Sequence, residues 1–425
     1  MSHTPDEGSR AAGAESGATA GRGDVAPPPD TQLSGRNKFL GAMFLMATSA
    51  IGPGFITQTT TFTDQLMAAF AFAILASILF DIAIQLNVWR VVGVAGRRAQ
   101  DLANSAFPGS GYVLAALDVL GGLVFNIGNI AGTALGLDAI FGLDVRIGAA
   151  LSAALAIAIF LVRQAGVAMD RVVVLLGVVM IGLTSFVAIN TQPPVGEALR
   201  QTIAPETVSF LVITTLIGGT VGGYIVYAGA HRLVDNGIKG EEFVPQITRS
   251  SIVGVLITGL MRVLLFLAIL GVVAGGKELD PLNPAASAFE QALGTAGRIV
   301  FGVIIWAAAI TSVIGASYTS TSFLKVLGPW VSRWERWVVC GFIVASTSVF
   351  LIAKTTPVTL LIFAGAFNGL ILPFGLGILL WIAARRRDLL GGYSYPTWLL
   401  VIGVVAWVST IYLGYNSLTG LRGLF

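Results

Sequence analysis

From Phe39 to the C-terminus, apolar segments of bilayer length follow one another with only short polar joints between them. That succession limits the fold before any motif is considered. The segments run at about 39–63, 66–89, 111–141, 146–162, 172–190, 208–234, 249–274, 296–325, 336–353, 356–384 and 396–415, eleven in all. A helix that crosses the hydrocarbon core needs about 20 mostly apolar residues. Lipid offers no partner to a backbone N–H or C=O, so a spanning segment is a helix or part of a closed barrel, and these lengths are helical. Charged residues make up only 11% of the chain, whereas soluble domains carry about 25%. The expected class is an all-α integral membrane protein whose constant partner is the lipid bilayer.

Residues 1–36 are rich in Gly, Ala, Ser and Pro and hold no apolar run, so they are expected to form a disordered tail without the features of a cleaved signal peptide. Residues 37–425 form the transmembrane domain. Basic residues follow alternate spans: Arg90, Arg97 and Arg98; Arg163 and Arg171; His231, Arg232, Lys239 and Arg249; Lys325, Arg333 and Arg336; Arg385, Arg386 and Arg387. The other joints hold fewer: Arg146, Arg200, Lys277, Arg298 and Lys354. The positive-inside rule then places the N-terminus in the cytoplasm and the C-terminus outside a multi-pass protein of the plasma membrane.

Two spans contain residues that a purely structural helix does not require. Span one passes through Gly52-Pro53-Gly54 into Thr57, Gln58, Thr59, Thr60, Thr61, Phe62, Thr63, Asp64 and Gln65. Irregular backbone at membrane depth is tolerated only where it is buried or lines a wet cavity, and transporters bind cargo at such broken helices. The structural alternative is a Thr-rich helix packed through small residues. Span six carries Gly218-Gly219-Thr220-Val221-Gly222-Gly223-Tyr224. Its glycine pairs either unwind the chain or let two helices approach closely. The expected substrate-binding set is Thr57, Gln58, Thr60, Thr61, Asp64, Gly222, Gly223 and Tyr224, with Asp64 as the one metal ligand. Asn126, Asn129, Tyr227, His231 and Asn368 form a possible polar pathway, and Asn126 and Asn129 share a helix face. Asp81 and Arg262 are charged groups within spans that need a partner or a wet cavity, and pairing them would be a structural solution.

Cys340 is the only cysteine and there are two histidines, which excludes an intrachain disulfide, a thiolate metal site and a His-rich zinc site. No nucleophile–base pair stands out, so an enzyme is not expected, and neither a cofactor nor a nucleic-acid partner is indicated.

Three motifs in order resemble the natural resistance-associated macrophage protein (NRAMP) family of divalent-metal transporters. They are Gly52-Pro53-Gly54-Phe55; Gly132-Thr133-Ala134 with Ile140-Phe141-Gly142; and Leu372-Pro373-Phe374 with Arg385-Arg386-Arg387-Asp388-Leu389. The resemblance implies a LeuT-type fold of about 11 transmembrane helices. Two inverted five-helix repeats, at about 39–190 and 208–384, would be followed by one extra helix at about 396–415, with helices 1 and 6 broken. The chemistry departs from the family. Its helix-1 motif Asp-Pro-Gly-Asn is matched to Thr63-Asp64-Gln65-Leu66, and the stretch that follows is then about ten residues shorter than the family's, close to three helical turns. Its Met-Pro-His in helix 6 is matched to Gly222, Gly223 and Tyr224, and Asn126 and Asn129 replace acids linked to proton movement.

The resulting expectation is a secondary transporter that works by alternating access with weak or no proton coupling. Its cargo would be a hard divalent cation, Mg²⁺- or Mn²⁺-like, since oxygen ligands remain and the soft thioether is gone. The alternative cargo is a small polar organic solute such as an amino acid or a carboxylate, held by freed amides. A non-transporting sensor is a further alternative.

Overall fold

The computed structural model describes residues 51–421, with the backbone alone for 163–174 and 421. The expected tail at 1–36 and the first part of span one lie outside the described residues. All regular structure among the described residues is helical. Span one continues as α1 (Pro53–Leu66), and span two is α2 (Phe70–Ala95). A short α3 (Ala99–Ala106) leads to α4 (Ser110–Phe141), α5 (Val145–Leu161) and α6 (Arg163–Asn190). After the amphipathic α7 (Val195–Ile203), span six is divided into α8 (Phe210–Thr220) and α9 (Tyr224–Asp235). Then come α10 (Val244–Ala274), α11 (Pro284–Leu324), the short α12 (Pro329–Arg333), α13 (Glu335–Ile352), α14 (Pro357–Arg385) and α15 (Thr397–Leu421). Each of the eleven expected spans has a helix.

Local chemistry sets the helix ends. Asp144, Ser209 and Thr356 cap α5, α8 and α14 by accepting from first-turn amides. Proline opens α1, α10, α11 and α14, where its missing N–H costs nothing. Left-handed glycines, Gly96 and Gly142, close α2 and α4. Gly294, at φ 70°, divides α11, so the part that crosses the bundle begins after it.

Contacts between the joints establish the alternation of sides. Arg98 pairs with Asp235 at 3.2 Å, Gly240 donates its amide to the Gly93 carbonyl at 3.0 Å, and Arg386 donates to the Ser105 carbonyl at 3.1 Å. The joints after spans two, six and ten therefore share one face, the basic one, as the even number of crossings between them requires.

The bundle closes through glycine faces. On α4, Gly132 abuts Pro53 and Gly136 abuts the Trp306 backbone. On α8, Gly218 lies against the Gly365 carbonyl and Gly369 of α14. Without a hydrophobic force between helices in lipid, such close contact is what holds them. Pro373 interrupts the α14 ladder, and its carbonyl accepts from the Trp407 indole of α15 at 2.8 Å. Gly218→Leu is expected to force α8 from α14 and to destabilise the protein by about 1–3 kcal/mol, the usual cost of overpacking. Thermal unfolding of the detergent-solubilised protein measures it, with the exposed Gly315 site as a control that should tolerate Ala.

Candidate functional site

The irregular backbone of span one lies earlier than the sequence suggested, at the start of its described part. Gly52 is extended (φ −91°, ψ −178°), and α1 then runs without a break from Pro53 to Leu66. The expected unwound stretch at Thr57–Gln65 is therefore helical, which corrects that expectation. Its hydroxyls serve their own helix: Thr59 donates to the Phe55 carbonyl at 2.7 Å, Thr60 to Ile56 at 3.0 Å and Thr63 to Thr59 at 2.6 Å. Thr57 is buried with them, while Thr61 is half-buried with its hydroxyl unpartnered. Asp64 is exposed in the last turn of α1, ahead of the turn at Met67. It lies two turns beyond Phe55 and away from the interruption, so the structure does not support it as a metal ligand at the helix break. The motif register changes with it. Pro53-Gly54 sits at the interruption, so Gly52 and Phe55 occupy the places of the family motif's Asp and Asn, and the ten-residue shortening disappears.

Span six divides its glycine pairs between the two expected roles. Gly218 and Gly219 stay within α8 and provide close packing, Gly219 against the Gln58 side chain. The chain leaves the helix only at Val221–Gly223, where Gly223 has φ 50° and ψ −132°. A Cβ on Gly223 would be strained and would strike the Asn368 amide oxygen.

The interruption of span six lies level with the middle of α2. Thr220, the last residue of α8, donates to Asp81 at 2.7 Å, and Asp81 stands near the centre of the 26-residue α2. Around the interruptions the structure brings together Gln58, Gly222, Gly223, Tyr224 and Asn368. Gln58 donates to the Leu361 carbonyl at 3.0 Å and leaves Oε1 without a partner. Asn368 donates to the Gly121 and Ala364 carbonyls at 3.1 and 2.8 Å and leaves Oδ1 without one. Phe125 of α4 bridges the two interruptions, edge-on to Tyr224 at 5.7 Å and in reach of Gly54. Ser320 of α11 faces Gly122 with its hydroxyl unpartnered.

On the α2–α10 side of α1, Arg262 is fully buried with its guanidinium 4.4 Å from the Phe55 ring centroid. Its hydrogen bond goes to Ser77 at 3.4 Å. The charges of Asp81 and Arg262 interact, yet Asp81 takes its hydrogen bond from Thr220. The sequence offered both residues as candidates, but their meeting with Phe55 and Thr220 depends on long-range packing.

The pathway residues form two groups. Tyr227 stacks beside His231 (6.3 Å), both contact Phe323, and Asp118 lies within electrostatic range of Tyr227. His231 Nε2 accepts from the Ala99 amide at 3.0 Å and marks the basic end of this group. Asp118, a charged residue within span three that the sequence marks as a buried polar candidate outside the expected binding set, is buried with Oδ2 unpartnered. Asn126 belongs to a separate group, donating to Ser317 and Ser346 at 3.0 and 2.8 Å, and Asn129 one turn on is buried without a partner.

Among the described residues, no three His, Cys, Asp or Glu side chains converge as metal ligands would. At the opposite face, a cleft of about 270 Å³ between Leu66–Ala69 and α7 includes Glu197 and Glu206. Both carboxylates are bound to Arg200, at 2.6 and 2.5 Å. The Arg200 hydrogen bond, helped by Gln201, draws the Glu197 carboxyl down to about 2. These acids are already engaged and do not form a free cation-binding pair.

The sequence model of the family described as natural resistance-associated macrophage protein-like matches residues 43–420. A Bacillus subtilis protein described as uncharacterized membrane protein YcsG is 53% identical over 379 residues, which cover 89% of this chain and 93% of that one. A Haemophilus influenzae protein described as an uncharacterized membrane protein is 54% identical over 369 residues, covering 87% and 92%. Among solved structures, the Eremococcus coleocola manganese transporter with an aromatic bis-isothiourea compound has a TM-score of 0.66 at 16% identity and covers 94% of this chain and 90% of its own. MhsT with L-phenylalanine has a TM-score of 0.64 at 17% identity, covering 89% and 98%. These likenesses show the LeuT-type fold.

Gly223→Ala combines a positive-φ strain of about 1–2 kcal/mol with a clash on Asn368, so transport is expected to fall steeply while the protein still inserts. Asp64→Ala, outside the interruptions, is expected to leave both folding and transport unchanged. Paired uptake and size-exclusion measurements on the two variants check both outcomes.

Proposed function

Because this chain belongs to the natural resistance-associated macrophage protein-like family, we propose that it is a secondary membrane transporter that binds a small polar organic solute where α1 begins and α8 gives way to α9. Alternating access would expose that site to each side in turn. The carrying observation is the closeness of the irregular points of spans one and six, linked by Phe125 and surrounded by the unpartnered oxygens of Gln58 and Asn368, in the manner of discontinuous-helix carriers. Helix starts turn their amides toward negative or dipolar groups, as a solute with a carboxylate or amide provides.

A divalent cation is the second reading, and two observations favour it. The family resemblance implies metal transport, and the fold is shared with the Eremococcus coleocola manganese transporter. In this reading a hard, partly hydrated ion takes carbonyl and amide oxygens, with Gln58 and Asn368 among them and Asp64 no longer included. Asn126 and Asn129 cannot carry a proton at neutral pH, which supports weak or absent proton coupling. The basic joints support a cytoplasmic N-terminus and an external C-terminus in the plasma membrane.

Reconstituted protein separates these readings. Uptake of radiolabelled amino and carboxylic acids, with no flux of Mn²⁺ or Mg²⁺ past vesicle-trapped dyes, is the expected result. Metal flux alone would favour the second reading, and absence of any flux would favour a sensor. Asn368→Ala should reduce whichever flux is present by about tenfold, as loss of an amide contact of about 1–1.5 kcal/mol does.

A further inference from the structure

The most costly group in the bundle is one that the packing leaves incompletely paired. Arg262 is 1% exposed in the interior of α10. A guanidinium removed from water needs its donors engaged, and this one has five N–H groups. Nη1 reaches Ser77 at 3.4 Å, but Nε and Nη2 have no partner among the described residues. Those two nitrogens share one edge of the planar group, the edge that takes a carboxylate through two parallel hydrogen bonds.

The edge is not isolated. The guanidinium lies 4.4 Å from the ring centroid of Phe55, the third residue of α1, so it packs on a side chain of that helix's first turn. No side chain caps Gly52, and Pro53 has no N–H to offer. Among the described residues, the amides of Gly54 and Phe55 have no partner at the positive end of the helix. Phe55 thus links two sources of positive potential, the guanidinium against its ring and the helix start in its backbone. The acidic group beside them is Asp81, whose Oδ2 is held by Thr220 at 2.7 Å and whose Oδ1 is unpartnered. A cation brought to this place would face the Arg262 charge; an anion would satisfy it.

We propose that Arg262 is the carboxylate anchor of the transport site. The solute is a small acid whose carboxylate lies between Nε and Nη2 of Arg262 and the first-turn amides of α1. An N–H beside that carboxylate donates to Asp81 Oδ1, so the class is a small amino or amido acid. This deepens the organic-solute reading given above and rests on it.

Matched acids and amides test the anchor on the full-length protein in detergent. L-proline is compared with L-prolinamide, N-acetylglycine with its amide, and L-lactate with lactamide, each scored by the shift in melting temperature, alongside Mn²⁺ and Mg²⁺. The expected result is stabilisation by an acid carrying an N–H and none by its amide. Arg262→Gln should weaken acid binding about tenfold to a hundredfold, the loss that follows removal of charge-assisted hydrogen bonds. Arg262→Lys should rescue it only in part, because a point charge replaces the fork. The double variant Asp81→Asn with Arg262→Gln removes both charges together. If Arg262 merely balances Asp81, the double variant binds acids as the unaltered protein does, and the anchor is overturned. Amides binding as well as acids overturns the anchor while sparing the organic reading. Stabilisation by Mn²⁺ or Mg²⁺ and by no organic probe overturns both. Silence from every probe also counts against the anchor. Should Arg262→Gln fail to fold, Arg262→Lys, which keeps the buried charge, decides in its place: undiminished acid binding by it overturns the anchor.

Discussion

A backbone amide or carbonyl in hydrocarbon has no water to turn to, and much of this structure depends on how that constraint is met at two places. Span one is irregular at Gly52, and span six at Val221–Gly223. Each interruption is enclosed by other helices. Pro53 is held against Gly132 of α4, and Gly223 against Asn368 of α14. Glycine at the facing positions lets neighbouring backbone or side chains approach closely enough to exclude lipid. The costs of irregular backbone are accepted only where surrounding packing over-determines it, and such places are where function concentrates.

The polar groups of the core divide according to what they serve. Thr59, Thr60 and Thr63 spend their hydroxyls on carbonyls one turn back, which suits a buried helix and leaves nothing for a ligand. Gln58, Asn368 and Ser320 each keep an unpartnered oxygen toward the interruptions, and Arg262 keeps two unpartnered nitrogens. In a low-dielectric interior such groups are expensive. Their clustering at one depth separates a binding region from ordinary helix packing better than polarity alone does.

Much of the architecture was legible in the sequence, because bilayer thickness and charge placement act on whole segments. The eleven spans and the common side of the joints carrying Arg98, Asp235 and Arg386 follow from rules that need no long-range information. The site was less legible. The run from Thr57 to Gln65 looks like a break because polarity and irregularity usually coincide in membranes; here threonine's ability to bond its own helix separates them. The register of the family motif was misplaced for the same reason, since Asp64 drew the match away from Pro53-Gly54. The meeting of Arg262 with Phe55 joins residues from opposite repeats, and no local pattern encodes it.

The three residues from Val221 to Gly223 have a mechanical meaning as well as a chemical one. α8 is secured to α14 through Gly218, Gly365 and Gly369, whereas α9 is secured elsewhere, by Trp89 donating to the Val226 carbonyl and by His231 accepting from the Ala99 amide. The two halves of span six are thus fastened to different parts of the bundle and joined by a link with little ladder of its own. Rotation at that link breaks few helical hydrogen bonds. The link at Val221–Gly223 is thus where the two halves of span six can change their mutual angle with the least loss of helical hydrogen bonds.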